Sequence, residues 1–89
     1  MLGTEEIENG LKCKVYPNPA QDQINFELND PSIQSWTVEI CNQVGQIIYT
    51  EELENKSSTQ INTQLLESGV YHYSVQSVNG LTIGQFVVQ

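Results

Sequence analysis

Apolar and polar residues alternate with a period of two along most of the chain. Leu11, Cys13 and Val15 alternate with lysines, and Ile24, Phe26 and Leu28 with Gln23, Asn25 and Glu27. Trp36, Val38 and Ile40 alternate with Thr37 and Glu39, and Tyr71, Tyr73 and Val75 with His72, Ser74 and Gln76. Successive side chains of a strand point to opposite sides, so alternation of this length predicts strands with one buried face. Ile47-Ile48-Tyr49 is apolar on both faces, while Ile61 and Leu65-Leu66 are short anchors among polar residues. No window carries a 3.6-residue stripe, so helices are not expected.

Turn residues separate these segments at short intervals. Val44-Gly45 and Glu67-Ser68-Gly69 each end one apolar run before the next begins, and residues 55–60 (NKSSTQ) form a polar loop. Asn79-Gly80 is a hairpin signal, since both residues tolerate the positive φ of a type I′ turn. It is expected to join residues 71–78 to 81–88. In the last segment Leu81 and Ile83 are in one phase and Phe86 and Val88 in the other, and a β-bulge at Gly84 would reconcile them. The pattern predicts an all-β fold, an antiparallel immunoglobulin-like β-sandwich of about seven short strands. Residues 1–9, acidic through Glu5, Glu6 and Glu8, read as a linker or the start of an expressed fragment, and residues 10–89 as the domain.

Composition narrows the function by exclusion. A chain of 89 residues makes one domain, and one of this size buries about 60–65% of its unfolded surface, which leaves little material to wall a deep cleft. Apolar runs such as Phe86-Val87-Val88 fall far short of the roughly 18–20 residues of a membrane-spanning helix. No basic start leads into an apolar h-region, so a signal peptide for an exported parent would lie upstream. Three lysines against eleven carboxylates give a formal charge of −8. Such a surface repels phosphates, which excludes nucleic acid and attraction to anionic membranes. Alternation puts Cys13 on the core face of its strand and Cys41 on the polar face of another. A disulfide needs Cβ atoms about 4 Å apart, so two free thiols are expected.

No chemical constellation emerges. His72, the one histidine, is phased to the polar face, without a second histidine at metal spacing. The clusters Glu5/Glu6/Glu8 and Glu51/Glu52/Glu54 lack the spacing of a calcium loop and read as solvated faces. Asn55-Lys56-Ser57 fits a glycosylation sequon, a short match that arises often by chance. Trp36 and the tyrosines would stack on sugars, as in a carbohydrate-binding module, only if they shared an outer face, and their phase puts Trp36, Tyr71 and Tyr73 with core residues. An adhesin-type spacer, the other alternative, would leave secretion of its parent protein intact when removed. Catalytic residues, metal ligands and cofactors are therefore not expected, and the chain does not read as an enzyme.

The segment Val15-Tyr16-Pro17-Asn18-Pro19-Ala20 is distinctive. Two prolines in three residues hold φ near −65° and remove two amide donors, which makes a stiff corner after the first strand. It is followed by Asp22 and an alternating strand to Leu28, then by Val38-Glu39-Ile40-Cys41-Asn42-Gln43-Val44-Gly45. Leu66-Glu67-Ser68-Gly69-Val70-Tyr71 and a terminal Phe86-Val87-Val88-Gln89 complete the series. This ordered set resembles the C-terminal sorting domains of the bacterial type IX (Por) secretion system, type A, over roughly Gly10 to Gln89. In place of the lysines common in the family's last strand, this chain has Gly84-Gln85, and Cys41 replaces an aromatic or aliphatic residue.

The resemblance implies a non-catalytic signal that directs a covalently linked N-terminal cargo through the periplasm and across the outer membrane. Its implied partners are translocon components, a shuttle protein and a sortase-like protease, and its implied destination is the cell surface or the medium. The residues that would carry the signal are Tyr16, Pro17, Asn18, Pro19, Ala20, Asp22, Gly45, Gly69, Tyr71, Phe86, Val87, Val88 and Gln89.

Overall fold

Alternation in sequence becomes alternation in burial in the computed structural model, which describes residues 4–8, 11–28, 30, 32–78 and 80–89. Along Gln23–Leu28 every second residue is buried, and along Ser35–Cys41 the same holds for Trp36, Val38 and Ile40. Among the described residues there are eight strands: β1 (Thr4–Glu8), β2 (Leu11–Tyr16), β3 (Gln23–Leu28), β4 (Ser35–Cys41), β5 (Ile47–Glu54), β6 (Ser58–Asn62), β7 (Gly69–Ser77) and β8 (Gly80–Val88). They form two four-stranded antiparallel sheets, in the orders β1-β2-β3-β6 and β5-β4-β7-β8. The stretch expected to be a linker thus contributes a strand, Thr4–Glu8, paired with β2 from Thr4↔Val15 to Glu8↔Leu11. Residues 1–3 and 9 of that stretch, and residue 10 after it, lie outside the described residues.

The inner faces meet in an aromatic cluster. Phe26 of the first sheet meets Tyr73 edge-on at 5.2 Å and Phe86 at 6.5 Å, both from the second sheet. Such pairs add about 0.5–1.5 kcal/mol each beyond the area they bury. Val15, Ile24, Val38, Ile40 and Val75 are buried around them. Trp36 is buried as well, its indole Nε1–H donating to the Lys56 carbonyl at 2.7 Å. Among the described residues no buried side-chain polar atom lacks a partner.

The thiols lie where alternation puts them. Cys13 is buried, Cys41 is half-buried, and both are free. Burial pushes the Cys13 thiol from the usual 9.0 up to about 12, with the Glu27 carboxylate adding to the rise against a lowering backbone hydrogen bond.

The last strand differs from expectation. Pairing of β7 with β8 runs unbroken from Gly69↔Val88 to Ser77↔Gly80, so no bulge occurs at Gly84. One phase, Thr82, Gly84, Phe86 and Val88, faces inward throughout, and a buried Thr82 stands where an apolar residue was sought. Leu81 and Ile83 belong to the outer face. Gly84 is needed for a different reason: it lies opposite Tyr73, and a Cβ there would fall 2.6 Å from Tyr73 Cζ. The missing side chain makes room for the ring, a cross-strand aromatic–glycine pair. The one register shift in this sheet lies between Ile40 and Cys41, where the partners step from Tyr49 to Ile47 and leave Ile48 as the extra residue. Ile47 and Ile48 nevertheless remain exposed at the bulge. Gly80 is already part of β8, one residue earlier than the expected hairpin, and Asn79 lies outside the described residues.

Gly84→Ala is expected to destabilise the domain by about 1–3 kcal/mol in urea unfolding, the usual cost of overpacking. The cost should shrink in a Tyr73→Leu background, which a double-mutant cycle would measure. A thiol reagent at neutral pH should titrate Cys41 alone in the folded protein and both cysteines in denaturant. Because the folded state holds the Cys13 proton more tightly, stability should fall as pH rises from 9.0, where the unfolded thiol ionises, to about 12.

Candidate recognition site

Antiparallel topology gathers four segments at one pole of the sandwich: the β2–β3 corner, the β4–β5 loop, the β6–β7 loop and the end of β8. Most of the sequence-predicted signal residues lie there. The corner is the centre of the arrangement. Its peptide bonds Tyr16–Pro17 and Asn18–Pro19 are both cis. β2 leaves the first sheet at Tyr16, touches the edge of the second sheet at Ala20, and re-enters the first sheet as β3. At that touch Ala20 and Val88 form a parallel bridge.

Three hydrogen bonds hold the corner to the terminal strand. Ala20 N–H donates to the Val87 carbonyl at 2.7 Å, and Gln89 N–H donates to the Ala20 carbonyl at 2.9 Å. Val87 N–H donates to the Asn18 side-chain Oδ1 at 3.0 Å. Asn18 is therefore the residue whose amide oxygen replaces a missing strand partner, while the flanking prolines have no N–H to compete for acceptors. Ala20 is fully buried and Pro17 and Pro19 are exposed.

Tyr71 joins the same group from β7. Its ring stacks on Phe86 at 5.7 Å, and its hydroxyl donates to the Glu67 carbonyl at 2.6 Å, four residues back. This is the tyrosine-corner arrangement of sandwich folds, with Gly69 (φ 154°) opening the strand between donor and acceptor. Val88, opposite Gly69, is buried.

The remaining residues of the predicted set serve neighbouring joints. Gly45 (φ 85°) takes the left-handed position of the β4–β5 loop, and its N–H donates to the Asn42 carbonyl at 3.0 Å. The Asn42 Oδ1 accepts from the amides of Val44 and Gln46, so Asn42 shapes that loop as much as Gly45 does. The Asp22 carbonyl accepts from Thr63 N–H at 2.9 Å, tying the start of β3 to the β6–β7 loop. Tyr16 points elsewhere, to the outer side of the first sheet, with Lys14 Nζ 5.8 Å from its ring centroid and its hydroxyl donating to Glu27 Oε2 at 3.3 Å. Desolvation, then the Glu27 carboxylate, raises the Tyr16 phenol above its usual 10.0, so it stays a neutral donor.

Thr63 is a contributor that the motif reading missed. It is buried, and its hydroxyl donates to the Gln21 carbonyl at 3.2 Å. The signal was its phase, since Thr63 continues the period-two face of Ile61 among the polar residues before Leu65-Leu66. His72 is exposed on the outer face, opposite Cys41.

The family profile described as the secretion system C-terminal sorting domain matches residues 14–89, from the middle of β2 to the last residue. The chain belongs to that family. This sorting domain is thus a C-terminal signal for type IX secretion, in a family whose role is signalling rather than catalysis. Its fold is similar to the crystal structure of a DUF3244 family protein with an immunoglobulin-like β-sandwich fold from Bacteroides vulgatus. The TM-score is 0.74 at 14% identity, over 86% of this chain and 84% of the other. No curated protein matches the sequence.

Asn18→Ala removes the acceptor of the Val87 N–H and is expected to cost about 1–2 kcal/mol. In hydrogen exchange the Val87 amide should lose its protection while the β4 amides keep theirs.

Proposed function

We propose that residues 10–89 act as a type A sorting signal that is read in the folded state at the terminal pole. The upstream cargo would reach the periplasm by a general signal peptide. The domain would then be received at the outer membrane by the translocon's shuttle protein and sortase-like protease, which deliver the cargo to the surface or the medium. The observation that carries this reading is the docking of the Asn18–Ala20 corner onto Val87–Gln89, which makes one surface out of motifs nearly seventy positions apart. Gly45, Gly69 and Tyr71 shape the loops beside that surface, and Asp22 anchors the strand that follows the corner.

A carbohydrate platform has less support. Trp36, Tyr71 and Tyr73 are buried, and Tyr16 and Tyr49 are half-buried with their hydroxyls on Glu27 and Glu51. Stacking on a sugar needs an exposed aromatic face.

The test is to fuse the 89-residue chain behind a signal peptide and a reporter in a host with the type IX system. The reporter is expected at the surface or in the medium, and deletion of Phe86–Gln89 is expected to strand it in the periplasm. Circular dichroism of the purified deletion variant separates lost recognition from lost folding, since Phe86 is also a core residue. Normal delivery of the deletion variant, folded or not, would refute the proposal.

A further inference from the structure

The terminal strand offers a partner either its edge or its outer face. At Val87–Gln89 the edge is occupied: the Val87 N–H, the Val87 carbonyl and the Gln89 N–H are all bonded to the corner. An added strand would need those groups free, so it would have to break three hydrogen bonds to pair there. The outer face is open instead. Val87 and Ile83 are 38% and 46% exposed, on the side of the sheet away from the core.

The apolar surface continues beyond β8. Val87 lies opposite Val70, and because both polar backbone groups of Val87 point away from β7, the two form a non-hydrogen-bonded pair with closely approaching side chains. Val70 in turn shares a shallow depression of about 200 Å³ with Val44, the 82% exposed tip of the β4–β5 loop. Polar loop residues, Asn42, Gln43 and Ser68, line that depression with them, so Val87, Val70 and Val44 form an apolar row set in a polar rim at the pole where the motifs converge. No charged residue occurs from Gly80 to Gln89.

Charge around this row has one sign. Glu67 is exposed beside the depression, and Glu39 lines the outer face together with Ile83. The three lysines are elsewhere: Lys12 and Lys14 on β2 of the other sheet, and Lys56 in the loop at the opposite pole. An apolar centre with an acidic surround fits a protein surface that presents an apolar contact ringed by Lys or Arg. It does not fit anionic lipid, which the same carboxylates repel.

We propose that the row Val44–Val70–Val87, with Ile83, is the surface by which a protein partner of that chemistry docks on the domain, face-on rather than by strand addition. This rests on the sorting reading. The test uses the full 89-residue chain in the reporter fusion, with the melting temperature and periplasmic level measured for each variant. Val44→Ser/Val87→Thr is expected to lower the surface-delivered fraction about tenfold, as loss of interface anchors does, at unchanged melting temperature. Val78→Ser removes an apolar side chain that is 94% exposed at the opposite pole and should deliver like wild type. If the double variant fails to fold, Val70→Thr carries the same expectation.

Undiminished delivery of the folded double variant overturns the proposal. So does loss of delivery in Asn18→Ala while the double variant delivers normally, since that result assigns recognition to the edge. Wild-type cosedimentation with anionic phospholipid vesicles that the double variant lacks would make the row a lipid site and also overturn it. A wild-type fusion that is not delivered at all refutes the sorting reading, and this proposal falls with it.

Discussion

Phe86 is the contact on which the rest of this structure depends. It belongs to the last strand, yet its ring lies at the centre of the core, stacked on Tyr71 and meeting Tyr73 and Phe26. The chain therefore cannot complete its core until its final residues are in place. The outer face of this strand takes its shape only in the folded molecule, because residues that face out and residues that close the sandwich alternate along it. Phe86 and Val88 face in while Val87 faces out.

The same economy governs the corner. A terminal strand at the edge of a sheet exposes unpaired amides and carbonyls, a common route to unwanted pairing. Charged residues often guard such edges, and β8 has none. The guard here is the Asn18–Ala20 segment, which takes up the outward-facing groups of Val87 and the amide of Gln89. Pro17 and Pro19 suit this place because the segment donates through a single backbone amide, that of Ala20. The Asn18–Ala20 segment thus has a mechanical meaning, in that it pairs the outward-facing backbone groups at the end of the last strand.

Much of the fold was legible from alternation alone. The inward sets of β3, β4 and β7, the outward His72 and Cys41, and the separation of the two thiols all follow from the fact that neighbouring residues of a strand face opposite sides. β8 was misread because Thr82 and Gly84 occupy core-facing positions without looking apolar. Thr82 is buried at a site that accepts a hydroxyl, and Gly84 is small because Tyr73 fills the space across from it. Neither reason is visible along one strand, since both concern the neighbour. Residues 4–8 looked like a linker because charge hides strand pairing, which uses backbone groups and needs no apolar side chain.

By itself the sequence determined the fold class, the faces of the regular strands and the set of motifs, because period and turn chemistry are local properties of the chain. Only the tertiary structure decided what those motifs do together. Asn18 and Val87 are far apart in the chain, and their hydrogen bond exists because antiparallel pairing returns β8 to the pole where β2 ends. The apolar row at that pole likewise combines a loop tip, one strand and its neighbour. Local patterns set which side chains point outward, and long-range packing set which of them meet.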